Sequence, residues 1–160
     1  MNKIDNNLPI VFLDIDGVLN SANFFSQDNI YPRNNRRSQL DPQAIKYLNE
    51  IADWNFVLSS TWRKFYERDE MNKLLNDMGF KGTIIDYTPD LNWKGSLRGN
   101  EIRVWMNENG LRDSEKYIIF DDDSDMLLWQ KDNFIHIDGH FGLSPNHVYR
   151  AKRKMANTLN

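Results

Sequence analysis

The sequence predicts an α/β protein, with a parallel β-sheet carrying helices on both faces. Three observations lead there. Short apolar runs biased toward β-branched residues have the pattern of strands buried on both faces. Segments with apolar residues at helical spacing alternate with these runs, which right-handed crossovers join most economically into one parallel sheet. Finally, acids and serines follow directly after the apolar runs, where ligands bind in open sheets of this kind. The 160 residues fit a single domain with one core.

Residues 10–15 form the first strand, which ends in acids. Asp41-Pro42 supplies an N-cap and a first-turn proline for a helix carrying Ala44, Ile45, Leu48, Ile51 and Ala52. Residues 55–58 are the second strand. Met71, Leu74, Leu75 and Met78 recur at i, i+3, i+4 and i+7, with Gly79 placed for a left-handed C-cap. Residues 83–85 predict a short third strand. Ile102, Trp105 and Met106 mark a helix closed by Gly110, and residues 117–120 are a buried strand that runs into acids. Ser124 is placed to cap a helix with Met126, Leu127 and Trp129. Residues 134–137 read as a fifth strand, and Ser144-Pro145 opens a last helix with Val148, Ala151 and Met155 on one face.

Composition excludes several chemistries. With no cysteine there are no disulfides, thiolate metal sites or thiol nucleophile. A formal net charge of −3 argues against whole-surface attraction to nucleic acid while leaving room for a local basic groove. The first apolar run is interrupted by Asp14 and Asp16, so it is neither a signal-peptide core nor a membrane span, and a cytoplasmic protein is expected. His136, His140 and His147 lack a metal-ligand spacing.

Two acids one residue apart, Asp14 and Asp16, leave the first strand and are followed by Gly17, which permits a tight turn and close ligand approach. Charges at the end of an apolar strand are costly without a partner or a metal. Asp14 with Asp121 and Asp122, after the fourth strand, forms an oxygen-only set suited to magnesium, and Asp16 stands beside them as a fourth candidate metal residue. A metal-bound Asp14 stays ionised and can attack phosphorus, while Asp16 donates a proton to the leaving oxygen and then activates water. Ser59 or Ser60 would supply a hydroxyl to the phosphoryl group, and Arg98 a cation.

With these residues in view, the chain resembles the haloacid dehalogenase-like phosphohydrolases. Asp14-Ile15-Asp16-Gly17-Val18 is similar to their first motif, in which the first acid is nucleophile and the second general acid/base. Ser59 in the segment Phe56-Val-Leu-Ser-Ser60 looks like the second, with Ser60 a one-residue-shifted alternative. Arg98, ahead of Gly99-Asn100-Glu101-Ile102, fits the third motif better than Lys94 does, and Phe120-Asp121-Asp122 resembles the fourth. The resemblance implies a three-layer α/β/α Rossmann-like fold with a five-stranded parallel sheet and Mg2+ as cofactor. Within the family, Phe120-Asp121-Asp122 with Trp129 downstream, Arg98, Ser60-Thr61-Trp62-Arg63 and Gly142-Leu143-Ser144 look most similar to the 3′-phosphatase domains of polynucleotide kinase-phosphatases and RNA-repair proteins.

The gaps between motifs leave no room for a large cap domain, only a flap over about residues 18–40, so the site is expected to be open and suited to bulky phosphate esters. Arg33, Arg36 and Arg37, with Phe24, Phe25 and Tyr31, give that flap the materials of a single-strand binding surface, and Arg63 is a further candidate substrate contact. The expected activity is a phosphomonoesterase acting on nucleic-acid 3′ ends or nucleotides, as a monomer or weak dimer without a membrane partner. Two alternatives are a small-molecule phosphatase for nucleotides or sugar phosphates, and a non-catalytic phosphate- or nucleic-acid-binding module.

Overall fold

Strand β1 (Ile10–Leu13) is buried along its whole length, as an all-apolar strand in the middle of a parallel sheet must be. It pairs on one side with β2 (Asn55–Leu58) and on the other with β4 (Tyr117–Asp121). The edges are β3 (Ile84–Tyr87) and β5 (Phe134–His136), giving the order β3-β2-β1-β4-β5 with every pairing parallel. This computed structural model describes residues 4–27, 39–91, 95–112 and 116–157.

The helices divide between the two faces. Helices α2 (Pro42–Leu48), α3 (Arg68–Asp77) and α5 (Pro145–Asn157) place Ile45, Leu48, Met71, Leu75, Val148 and Ala151 in one core with Val11, Leu13, Phe56, Leu58 and Phe120. Helix α4 (Arg98–Glu108) covers the opposite face, setting Ile102, Trp105 and Met106 against Ile10, Phe12, Val57 and Ile119. The alternation of strand side chains thus assigns odd and even positions of β1 to different helices. The expected three-layer α/β/α architecture is the one observed, with no separate cap unit among the described residues.

Local signals act as expected at most ends. Asp41 caps α2 through Gln43 N–H at 2.8 Å with Pro42 next, and Gly79 follows α3 at a φ of +93°. The flap begins with a short helix, α1 (Ala22–Ser26), whose cap is Ser21.

One element differs. Instead of a helix capped by Ser124, the chain after β4 is irregular up to a 3-10 turn, Leu128–Gln130. Tertiary partners account for this. The Asp125 carboxylate accepts the Arg98 N–H of α4 at 2.9 Å, and the buried Gln130 amide accepts from Leu127 N–H while donating to the Gly99 carbonyl, both at 2.9 Å. Gly99 permits this contact, because a β-carbon there would lie 2.6 Å from both Leu127 N and Gln130 Oε1.

Candidate active site

The sheet register alone aligns the site. Leu13 is paired with Leu58 and with Phe120, so the next residues, Asp14, Ser59 and Asp121, come together at the carboxyl edge of the three central strands. Asp14 N–H reaches the Phe120 carbonyl at 3.0 Å, and Ser59 N–H the Leu13 carbonyl at 2.8 Å. By strand parity these three residues continue the face of Phe12, Val57 and Ile119, which is the face covered by α4. The first residue of α4 is Arg98. Its guanidinium donates to the Ser59 carbonyl and lies 3.8 Å from the Asp14 carboxylate and 3.7 Å from that of Asp121.

Asp14, Asp121 and Asp122 each offer a carboxylate oxygen within 4.8 Å of the others. Asp14 and Asp121 are buried, and Asp121 Oδ2 has no hydrogen-bond partner among the described residues. Two glycines make space for Asp122. Gly17 has a φ of +80° and a β-carbon there would run into the Asp122 carboxylate, while one at Gly139 would lie 2.8 Å from Asp122 Oδ2.

Crowding buried acids has an electrostatic consequence. Burial pushes the Asp14 carboxyl up to about 7 against the opposing pull of Arg98, and burial together with the Asp14 charge pushes Asp121 up to about 8. Asp122 is raised as well, chiefly by burial. For Arg98 burial works against the charge, but Asp14, Asp121, Glu101 and Asp125 outweigh it and hold the guanidinium more firmly protonated.

The two serines are placed differently. The Ser59 hydroxyl is buried without a hydrogen-bond partner among the described residues. The Ser60 hydroxyl accepts the Trp62 N–H at 3.4 Å, capping a 3-10 turn, Thr61–Lys64.

Asp16 lies outside the three-carboxylate cluster and is exposed. Its Oδ2 accepts the indole N–H of Trp62 at 3.0 Å and its Oδ1 the Asn20 amide at 2.9 Å. Arg63 is not on the surface. Its side chain is 5% exposed and forks onto both Glu101 oxygens at 2.9 and 2.8 Å, with Thr88 Oγ1 at 3.3 Å. Of the flap, Phe24 and Phe25 lie on α1 with ring centroids 5.4 Å apart; Arg33, Arg36, Arg37 and Tyr31 lie outside the described residues, as does Lys94.

Asn20, Trp62 and Glu101 are site-supporting residues that sequence reasoning missed. Asn20 follows Asp16 by four positions and Glu101 follows Arg98 by three, spacings too common to single out a residue. Trp62 stands out in the sequence only as part of the Ser60-Thr61-Trp62-Arg63 resemblance, with nothing there to pair it with Asp16.

Fold and site together define a haloacid dehalogenase-like hydrolase domain. More particularly, the model of the family described as the HAD domain in Swiss Army Knife RNA repair proteins matches residues 10–148, and the chain belongs to that family. A solved haloacid dehalogenase-like family hydrolase from Streptococcus pneumoniae is similar at 12% identity and a TM-score of 0.49, over 96% of this chain and 92% of that one. No curated protein matches. Among the described residues no helix is long and apolar enough to cross a membrane.

Proposed function

We propose that this domain is a magnesium-dependent phosphomonoesterase that works through an aspartyl-phosphate on Asp14, with nucleic-acid 3′-phosphate ends as the favoured substrate class. The observation that carries this reading is the gathering of Asp14, Asp121 and Asp122 oxygens within 4.8 Å beside the Arg98 guanidinium.

The donor set fits a hard divalent cation: three carboxylates, one of them with a buried oxygen that has no partner among the described residues. When bound there, the ion would offset the carboxylate charge and polarise a phosphoryl oxygen.

In the proposed reaction an Asp14 carboxylate oxygen attacks phosphorus, the bond from phosphorus to the ester oxygen breaks, and Asp16 supplies that oxygen with a proton. Asp16, now ionised, takes a proton from water as the water oxygen attacks phosphorus and frees the Asp14 carboxylate. Arg98, Ser59 and Ser60 face the phosphoryl oxygens with donors. Arg63 acts on this site from behind, through Glu101 of α4, one turn from Arg98. The substrate preference rests on the family's description as a domain of RNA repair proteins and on the absence of a cap unit among the described residues. A cytoplasmic setting and a monomeric or weakly dimeric state belong to the same reading.

The test measures inorganic phosphate released from a 3′-phosphorylated oligonucleotide, from mononucleotides and from sugar phosphates, with magnesium or with EDTA. The expected result is magnesium-dependent release, fastest from the oligonucleotide, that falls to background in Asp14→Asn. Activity surviving in that variant would sink the mechanism, and faster turnover of the small esters would overturn the substrate assignment.

A further inference from the structure

Asp16 is held from both sides, although it is exposed. The Trp62 indole N–H meets one carboxylate oxygen at 3.0 Å and the Asn20 amide meets the other at 2.9 Å. Each donor is itself fixed. Trp62 is 3% exposed, stacks on Tyr66 at a centroid distance of 5.8 Å and an interplanar angle of 25°, and sits on the Ser60-capped turn after β2. Asn20 also donates to the Gln39 carbonyl at 3.0 Å and accepts the Gly17 N–H at 2.8 Å, so it ties the Asp16-Gly17 turn to the chain entering α2.

A carboxylate has about four acceptor positions, and two N–H donors on different oxygens fix its plane while leaving the rest open to a substrate. The indole N–H is a donor with no acceptor and no accessible charge change, so it can aim a carboxyl group without competing for its proton.

We propose that Trp62, assisted by Asn20, is a positioning residue that aims Asp16 at the leaving oxygen, and that the site is thereby built for phosphate esters of sugar hydroxyls. This rests on the phosphohydrolase reading above. The chemical reason is that a sugar alkoxide is a poor leaving group and departs only if protonated as its bond to phosphorus breaks, whereas a nitrophenolate departs without a proton. A fixed proton donor is therefore of use to the first class and nearly irrelevant to the second.

The experiment compares kcat/KM for a series of phosphate monoesters of rising leaving-group pKa, from p-nitrophenyl phosphate to a nucleoside 3′-phosphate, in the magnesium-loaded protein. kcat/KM stops at the first irreversible step, transfer to Asp14, so water activation by Asp16 does not enter. Trp62→Phe removes the donor. Replacing Trp62 with 3-benzothienylalanine keeps the bicyclic ring and loses only the N–H, which covers the case in which the smaller ring disturbs folding. Both variants are expected to lose about tenfold or more on the sugar ester, a part of the 10²–10⁴ that general acid catalysis supplies, and to lose far less on p-nitrophenyl phosphate. The plot of log kcat/KM against leaving-group pKa steepens.

In the wild type, one indole N–H resonance should shift on Asp16→Asn, and it should be the one missing from the benzothienyl variant. A uniform loss across the series, or no loss, in a wild type that is active overturns the role of Trp62 alone. A wild type inactive on every ester overturns the phosphohydrolase reading and this inference with it.

Discussion

Glu101→Leu should destabilise the domain by about 3 kcal/mol, and most of that loss should vanish when Arg63 is replaced as well. Glu101 is 2% exposed in its side chain and takes both Nη2 contacts from Arg63, itself 5% exposed, while also accepting the Leu91 N–H at 3.0 Å. Removing one partner of a buried ion pair costs about 3–5 kcal/mol because the other charge is left in a poorly hydrated place. The low end applies here, since Arg63 keeps Thr88 Oγ1 at 3.3 Å and the partly exposed Asp90 carboxylate at 3.7 Å.

In a domain of this size, roughly 2–4 °C of Tm accompanies each kcal/mol, so Tm should fall by roughly 6–12 °C. Arg63→Met combined with Glu101→Leu replaces the pair by apolar groups of similar volume, which is often close to neutral. Guanidinium unfolding of the four proteins, compared at constant m, yields the coupling energy, expected at about 2 kcal/mol or more. A single-variant loss below about 1 kcal/mol, or additive losses, would refute the view that this pair fastens the first turns of α4. The double variant also separates roles: if Arg63 acts only through Glu101, recovered stability should bring recovered KM, whereas a direct substrate contact leaves KM raised.

Two further outcomes follow from the acid cluster. Burial raises the Asp14 and Asp121 carboxyls from 3.8 to about 7 and about 8, so the folded protein holds these protons more tightly than the unfolded chain. Their contribution to stability is therefore fully present below about pH 4 and is lost as pH rises through 7 to 8. Tm in EDTA should fall across that window, and the increment from added magnesium should be larger at pH 8.5 than at pH 5.5; an increment independent of pH would count against these carboxylates as the site. Gly17→Ala forces a β-carbon into the Asp122 carboxylate at a φ of +80°, whereas at Gly79, with a φ of +93°, a β-carbon meets nothing within 4 Å. Both alanine variants should lose about 1–2 kcal/mol from left-handed strain, but calorimetry should show weakened magnesium binding only for Gly17→Ala, and equal binding in the two would refute the cradle.

How much of this could be read from the sequence depends on whether the determinant was local. Apolar runs ending in acids located β1 and β4, because a central parallel strand is buried on both faces and its first polar residue marks the crevice. The same rule found Ser59. It could not decide between Ser59 and Ser60, since that depends on how the chain turns after Leu58: one hydroxyl is left without a partner among the described residues, the other caps the turn at Trp62. Residues 124–130 have helical spacing, yet Asp125 and Gln130 are drawn into tertiary bonds with α4 that no local pattern announces. Arg63 reads as a candidate substrate contact in sequence because its partner Glu101 lies 38 positions away. Trp62 and Asp16 are 46 apart.

Arg98 shows why the face covered by α4 had to carry the site. A cation at the first residue of a helix sits at the positive end of the helix dipole, an unfavourable place for an arginine. Here the Asp125 carboxylate takes the Arg98 backbone N–H at 2.9 Å and so neutralises the helix end. Asp14 and Asp121, with Glu101 and Asp125, then hold the guanidinium charged against the penalty of burial. The relation is mutual, since the guanidinium is also what lowers the Asp14 and Asp121 carboxyls from where burial alone would put them. Had Asp14 followed the parity of Leu13, it would face the core shared by α2, α3 and α5, on the opposite side of the sheet from α4 and Arg98. The one-residue alternation of β1 therefore joins sequence to chemistry: it sends Leu13 into one core and Asp14 toward the only α4 residue that can counter its charge at the strand edge.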